Sequence, residues 1–214
     1  MVNEQAYNEI HSFTKANLVT LVAVSKLKPV SDIAQMYALG QRDFGENYVQ
    51  ELVDKQTQLP HDIRWHFIGH LQSNKVKYIA AFVHLIHSVD SEKLLKEIDK
   101  QAAKNNRTIN VLLQVHIAEE ETKFGFDEAE LMAFEISLYK NVNIIGLMGM
   151  ATFTDDKEKV KREFDHLQKI YNTFAAKKNI TLTTLSMGMS DDYKLAIDCG
   201  SNMVRIGSLL FGRR

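Results

Sequence analysis

The chain has 214 residues, of which 45% are hydrophobic and 25% are charged, as expected of one soluble globular domain spanning residues 1–214. Its 26 basic and 27 acidic residues leave a formal net charge of −1, which argues against a nucleic-acid-binding surface. No apolar run approaches the roughly 18 residues of a membrane span, and the start of the chain is too polar for a signal peptide, so we expect a cytoplasmic protein.

Short β-branched runs alternate with longer segments of helical period, a pattern typical of β/α units built on a parallel sheet. An N-terminal helix is expected at about 3–15. The runs that follow it predict eight strands, at residues 20–25, 43–46, 65–69, 85–89, 110–116, 144–150, 184–189 and 203–207.

The helical segments between these strands carry their own start signals. Asp127 is an N-cap candidate for a helix expected over 128–139, and apolar residues at helical spacing predict the longest helix over 156–178. A further helix is expected to begin at Asp191 or Asp192.

Eight strands in just over 200 residues favour a single-domain (β/α)8 TIM barrel with an additional N-terminal helix. An open doubly wound sheet is the alternative, but such sheets usually have a glycine-rich first turn. The first strand here ends in the glycine-free segment SKLKP, residues 25–29, so the barrel is preferred.

Lys26 is the first candidate for chemistry, because barrel sites lie at the carboxyl ends of the strands. It shares a strand face with Val22 and Val24 and would emerge at the barrel mouth above an apolar floor. Such a floor favours the neutral amine, which can attack an aldehyde; a lysine that merely snorkels to solvent is the structural alternative. Lys28 competes for this role, but the proline after it favours an extended, exposed conformation, so we favour Lys26.

The turns after the last two strands have the composition of a phosphate site. Ser190 follows strand seven, and Gly207 and Ser208 follow strand eight, where barrels frequently bind phosphate. Arg205 shares a face with Gly207, and a guanidinium inside a barrel needs an acceptor, either a bound ligand or a core carboxylate. Cys199 is the only cysteine and has no basic neighbour in sequence, so we expect a packing residue rather than a reactive thiol.

Five segments of the chain, taken in order, resemble the pyridoxal phosphate (PLP) homeostasis protein family. They are VAVSK at 22–26, FGENYVQE at 44–51, WHFIGHLQSNK at 65–75, SMGMS at 186–190 and VRIGS at 204–208. The family's fold is the barrel of fold-type III PLP proteins, which resembles the N-terminal domain of alanine racemase. The resemblance therefore agrees with the strand count.

The resemblance implies that PLP forms a Schiff base with Lys26, with its phosphate at the turns after strands seven and eight and its pyridine nitrogen facing Arg205. It implies these cofactor contacts: Lys26, Asn47, His66, Met187, Ser190, Arg205, Gly207 and Ser208. Asn47 would lie beside the ring and His66 would line the same cavity.

Two further groups carry weaker signals. His66 and His70 could share a strand face, but no carboxylate or cysteine completes a ligand set in the sequence, so we expect no metal. Lys123 matches a family segment after strand five, where it is either a second amine near the cofactor or a solvated loop lysine.

The residue facing the pyridine nitrogen decides which PLP chemistry is favoured. Arg205 can only donate hydrogen bonds, so it would leave that nitrogen unprotonated and weaken the electron sink. An amino-acid racemase is the leading enzymatic alternative, but the chain has no residues for the second domain of barrel racemases and no obvious second base.

The preferred hypothesis is therefore a protein that binds, stores or delivers PLP without dedicated turnover. PLP-dependent apo-enzymes are its candidate recipients and a monomer is expected. A Schiff-base aldolase that binds a sugar phosphate is a further alternative.

Overall fold

The computed structural model describes residues 2–118 and 124–212. Eight parallel strands form a closed barrel in chain order, and the last strand pairs with the first. The strands are β1 (Thr20–Val24), β2 (Asp43–Glu46), β3 (Arg64–Phe67), β4 (Leu85–Val89), β5 (Ile109–Gln114), β6 (Val142–Met148), β7 (Thr184–Ser186) and β8 (Met203–Ile206). The predicted barrel is confirmed.

Helices surround the barrel, and one precedes the first strand as expected. They are α1 (Glu4–Ala16), α2 (Val30–Ala38), α3 (Val49–Gln56), α4 (Val76–Ile79), α5 (Glu92–Lys104), α6 (Glu128–Ala133), α7 (Lys157–Lys178), α8 (Tyr193–Asp198) and α9 (Ser208–Phe211). None of the helices in the described ranges combines the length and apolar character of a membrane span.

The helix expected over 128–139 is shorter than predicted. Asp127 does cap it in a reciprocal capping box with Glu130, but the helix ends at Ala133 and Phe134 adopts an extended conformation. Phe134 then stacks on Tyr139 with ring centroids 5.4 Å apart, and both rings are buried. Burial of these two aromatic rings overrides the local helical pattern.

The strand residues divide between two cores, as their alternation requires. One core lies between the sheet and the helices and includes Leu21 and Ala23 of β1. The other lies inside the barrel and is formed by Val22, Leu85, Leu112, Met148 and Met203. The inward direction predicted for Val22 is confirmed, and it places the residues after β1 at the barrel mouth.

Candidate functional site

A cavity of about 370 Å³ opens at the carboxyl ends of the strands. This is the end at which barrel proteins place their sites, and the volume suits a small ligand. The structure brings together here six of the eight residues expected to contact a cofactor: Lys26, Asn47, Ser190, Arg205, Gly207 and Ser208.

The other two expected residues, His66 and Met187, do not line this cavity. Met187 is fully buried in the core between the sheet and the helices, because it points to the opposite face from Ser186. Met189 lines the cavity instead. His66 lies inside the barrel, where its ring bonds to Asp43, the first residue of β2, and is therefore directed away from the mouth.

The loop that carries Lys26 has a fixed and unusual backbone. Leu27 has a φ of +59°, in the left-handed region that a leucine seldom adopts. Its amide donates to Glu51 Oε1 at a distance of 2.6 Å, and the Ser25 hydroxyl donates to Glu46 Oε1 at the same distance. These bonds to β2 and α3 hold the backbone on both sides of Lys26.

Lys55 of α3 lies at the centre of this support. Its buried ammonium donates to the Ser25 carbonyl at 2.8 Å and to Glu46 Oε1 at 2.7 Å, and it also donates to Glu51. Burial raises the pKa of Glu46, although the nearby Lys55 charge opposes this shift. The segment FGENYVQE contains both glutamates, but the sequence alone did not indicate that they support the Lys26 loop.

Lys28, the competing lysine, also lines the cavity and donates to two backbone carbonyls. Its ammonium donates to the carbonyl of Phe211 over 2.8 Å and to that of Gly212 over 3.3 Å. Lys28 is half-buried by these contacts rather than exposed as expected. Its amine therefore ties the β1 loop to the end of α9.

Asn47 follows β2 and presents an unused acceptor. Its side-chain oxygen is buried and has no hydrogen-bond partner in the part of the chain that the structure describes. Gly69 lets the backbones approach closely here, because a Cβ at this position would lie 2.3 Å from the Asn47 carbonyl oxygen. Asn47 is thus set firmly in the wall with an orphaned polar atom, as expected where a ligand donor binds.

Two adjacent turns form the part of the cavity expected to bind phosphate. The Gly207 amide donates to Ser190 Oγ over 3.4 Å, and α9 begins at Ser208. A Cβ at Gly207 would lie 3.2 Å from the Val24 carbonyl oxygen, so a side chain would crowd the end of β1. The wall here combines small residues and hydroxyl groups, the composition typical of phosphate turns.

Arg205 is buried at the floor of the cavity, inside the barrel. Its Nη1 donates to Ser186 Oγ at 2.6 Å and its Nη2 donates to the Gly149 carbonyl at 3.1 Å. Burial lowers the pKa of Arg205 to about 10, so the side chain stays cationic at neutral pH. Its observed acceptors are a hydroxyl and a carbonyl, not the core carboxylate that was one of the two expected partners.

The histidine pair considered for metal binding is not assembled. His70 contacts Asp90 over 3.0 Å and stacks on Phe124. The potential ligand atoms of Asp43, His66 and His84 instead lie within 4.8 Å of one another. The absence of a metal stays a prediction, and Lys123 lies outside the described residues.

The fold and the cavity define a (β/α)8-barrel protein with a small-ligand cavity at the carboxyl ends of its strands. Similar proteins of known family agree with this class. Residues 5–214 match the family model "Alanine racemase, N-terminal domain". The pyridoxal phosphate homeostasis protein of Aquifex aeolicus is 42% identical to the chain, over 92% of this chain and 88% of the relative. The chain belongs to the pyridoxal phosphate homeostasis protein family.

Two solved structures of PipY are also similar to the chain over most of its length. PipY of Synechococcus elongatus PCC7942 without PLP matches with a TM-score of 0.91 and 37% identity, covering 97% of this chain and 99% of PipY. PipY with PLP bound matches with a TM-score of 0.84 and 38% identity, covering 91% and 93%.

Proposed function

We propose that this protein binds PLP in the cavity at the barrel mouth and acts in PLP homeostasis as a carrier or buffer, without dedicated turnover. The observation that carries the proposal is the convergence of a lysine, a buried arginine and two small-residue turns on one cavity. Membership of the family and the PLP-bound structure of PipY support it.

Lys26 is the residue proposed to bind PLP covalently. Its amine would condense with the aldehyde to form a Schiff base and release water. Both lysines line the cavity, and Lys26 is favoured over Lys28 because it follows β1 on the same strand face as the inward-pointing Val22. The hydrogen bonds that Ser25 and Leu27 donate to Glu46 and Glu51 would keep the Lys26 backbone in place while the Schiff base forms and breaks.

The remaining wall residues fit the other parts of the cofactor. The orphaned oxygen of Asn47 would accept a hydrogen bond, and Ser190, Gly207 and Ser208 would bind the phosphate. Arg205 would face the pyridine nitrogen and donate to it. When bound, PLP supplies an electron sink for amino-acid chemistry, and a cationic donor at that nitrogen weakens it.

The titratable groups of the wall favour binding over turnover. Among the described residues that line the cavity they are Lys26, Lys28, Asp191 and Arg205. Racemisation needs bases on both faces of the substrate, yet the Lys28 amine is engaged and Asp191 is exposed. We propose apo-enzymes as recipients of PLP and a monomeric, cytoplasmic protein, with Lys123 as a candidate second amine.

Titration of PLP into the purified protein, followed by absorbance, tests this function. We expect a yellow complex with the parent protein and with Lys28→Ala, and none with Lys26→Ala. Incubation with L- and D-amino acids should then give rates far below the roughly 1 s⁻¹ of ordinary enzymes. No uptake of PLP by the parent protein would contradict binding, and turnover at that rate would contradict the carrier role.

A further inference from the structure

A continuous row of buried polar side chains crosses the barrel from the cavity floor to its opposite end. Arg205 Nη1 lies 2.6 Å from Ser186 Oγ, which lies 3.2 Å from His87 Nδ1. His87 Nε2 lies 2.9 Å from His66 Nδ1, and His66 Nε2 lies 3.0 Å from Asp43 Oδ1. All five side chains belong to buried residues on five different strands.

The two ends of the row fix the direction of every hydrogen bond in it. Arg205 can only donate, so Ser186 accepts from it. The buried Ser186 hydroxyl proton also needs an acceptor, and among the described residues His87 Nδ1 is the only other side-chain partner of this hydroxyl, so Ser186 donates to His87 Nδ1. At the other end, burial alone would raise the pKa of Asp43, but hydrogen bonds from Arg64 and His66 outweigh this and lower it to about 2. The ionised Asp43 can only accept.

Only one protonation pattern satisfies both ends. His87 accepts at Nδ1 and donates from Nε2, and His66 does the same towards Asp43. Both rings are then neutral and carry their proton on Nε2. A proton added to either ring would set two donors against each other or leave the buried Ser186 proton without its acceptor, and burial also lowers the pKa of His87.

A metal ion at Asp43, His66 and His84 is the competing explanation of the histidines. Arg64 opposes it, because its guanidinium already donates to both oxygens of Asp43. An ion on His66 Nε2 would also displace the proton that this nitrogen shares with Asp43. The hydrogen-bonded row accounts for the same contacts without displacing any of them.

We propose that Ser186, His87 and His66 are positioning residues that fix the guanidinium of Arg205 from inside the barrel. Because His87 can only accept at Nδ1, the Ser186 hydroxyl points its proton away from Arg205 and its lone pairs towards it. Arg205 is thereby presented to the cavity in one orientation. The consequence for PLP rests on the proposed function, in which Arg205 faces the pyridine nitrogen.

Nitrogen-15 NMR of the histidine rings, recorded on the protein without PLP, tests the row itself. We expect neutral rings with the proton on Nε2 for both His66 and His87 at pH 7, with the exposed His61 as the reference signal. His66→Gln and His87→Gln assign the two signals. A cationic ring, or a proton on Nδ1 of either histidine, would contradict the row whether or not the protein binds PLP.

Ser186→Ala tests the effect on the cavity. Loss of this acceptor should raise the dissociation constant for PLP by about tenfold, the effect of one charge-assisted hydrogen bond. It should also move the His87 ring signals, and Ser186→Thr should restore both. Ser88→Ala is the matched control, because Ser88 is also buried and its hydroxyl has no partner among the described residues.

Equal affinity for PLP in folded Ser186→Ala and Ser88→Ala would overturn the positioning role. Circular dichroism establishes that both variants are folded, and the ring measurement on the unaltered protein decides the matter if Ser186→Ala does not fold. If the parent protein takes up no PLP, the proposed function fails, while the ring signals still confirm or contradict the row.

Discussion

Replacement of Lys55 by methionine should destabilise the protein strongly and loosen the Lys26 loop. The buried ammonium donates to Glu46, Glu51 and the Ser25 carbonyl, and its side chain is only 7% exposed. Methionine has a similar length but cannot donate, so the Glu46 carboxylate, which is 0% exposed, would remain buried without its cation. Breaking one side of a buried ion pair costs about 3–5 kcal/mol.

For a domain of this size, 1 kcal/mol shifts Tm by about 2–4 °C, so Lys55→Met should lower Tm by about 6–20 °C. Urea denaturation gives the free energy of unfolding directly. Lys96→Met is the control: Lys96 forms an i,i+4 pair with Glu92, but its side chain is 62% exposed, and such surface pairs contribute about 0–1 kcal/mol.

Adding Glu46→Gln to Lys55→Met should recover part of the lost stability, because the amide leaves no buried charge. Affinity for PLP should fall in Lys55→Met, since Ser25 and Leu27 lose their fixed positions on either side of Lys26. Equal unfolding free energies for Lys55→Met and Lys96→Met would refute this reasoning.

Three further predictions concern other parts of the molecule. The pKa of Asp43 is lowered to about 2, below the value of an aspartate in the unfolded chain. The ionised Asp43 side chain therefore stabilises the fold above about pH 4, and this contribution is lost as the pH falls through about 2. This contribution is about 2 kcal/mol. Asp43→Asn should therefore flatten the acid side of a curve of unfolding free energy against pH. An unchanged acid side would contradict the role of Asp43. Gly69→Ala should lower both Tm and PLP affinity, because its Cβ would lie 2.3 Å from the backbone of Asn47. Gly45→Ala should do less harm, because its Cβ meets only side-chain atoms, at 3.1 Å or more. Equal effects of the two substitutions on Tm and PLP affinity would count against this prediction. Burial raises the pKa of Cys199 to about 11, so a thiol-specific reagent should label it slowly at pH 7 in the native protein and fast in urea, and rapid native labelling would contradict its role as a packing residue.

Much of the cavity followed from the sequence because barrels obey local rules. Alternation along β1 placed Val22 inside the barrel and Lys26 at its mouth, and both positions are observed. The rule that barrels often place functional turns after the last two strands likewise predicted that Ser190 and Gly207 lie close together, and both line the cavity. These residues needed only strand direction and a fold class.

The residues that sequence analysis misplaced depend on contacts between distant parts of the chain. Alternation puts His66 inside the barrel but does not say towards which end its ring turns; Asp43 and His87, each more than 20 residues away, decide that. The helix predicted past Ala133 fails because the Phe134 ring packs on Tyr139. Neither contact leaves a periodic signal in the sequence.

The most direct test of the central claim is borohydride reduction of the PLP-loaded protein, followed by mass spectrometry of its peptides. We expect a phosphopyridoxyl group on Lys26, lost in Lys26→Ala and retained in Lys28→Ala. A label on Lys28 or on another lysine, with Lys26 unmodified, would contradict it.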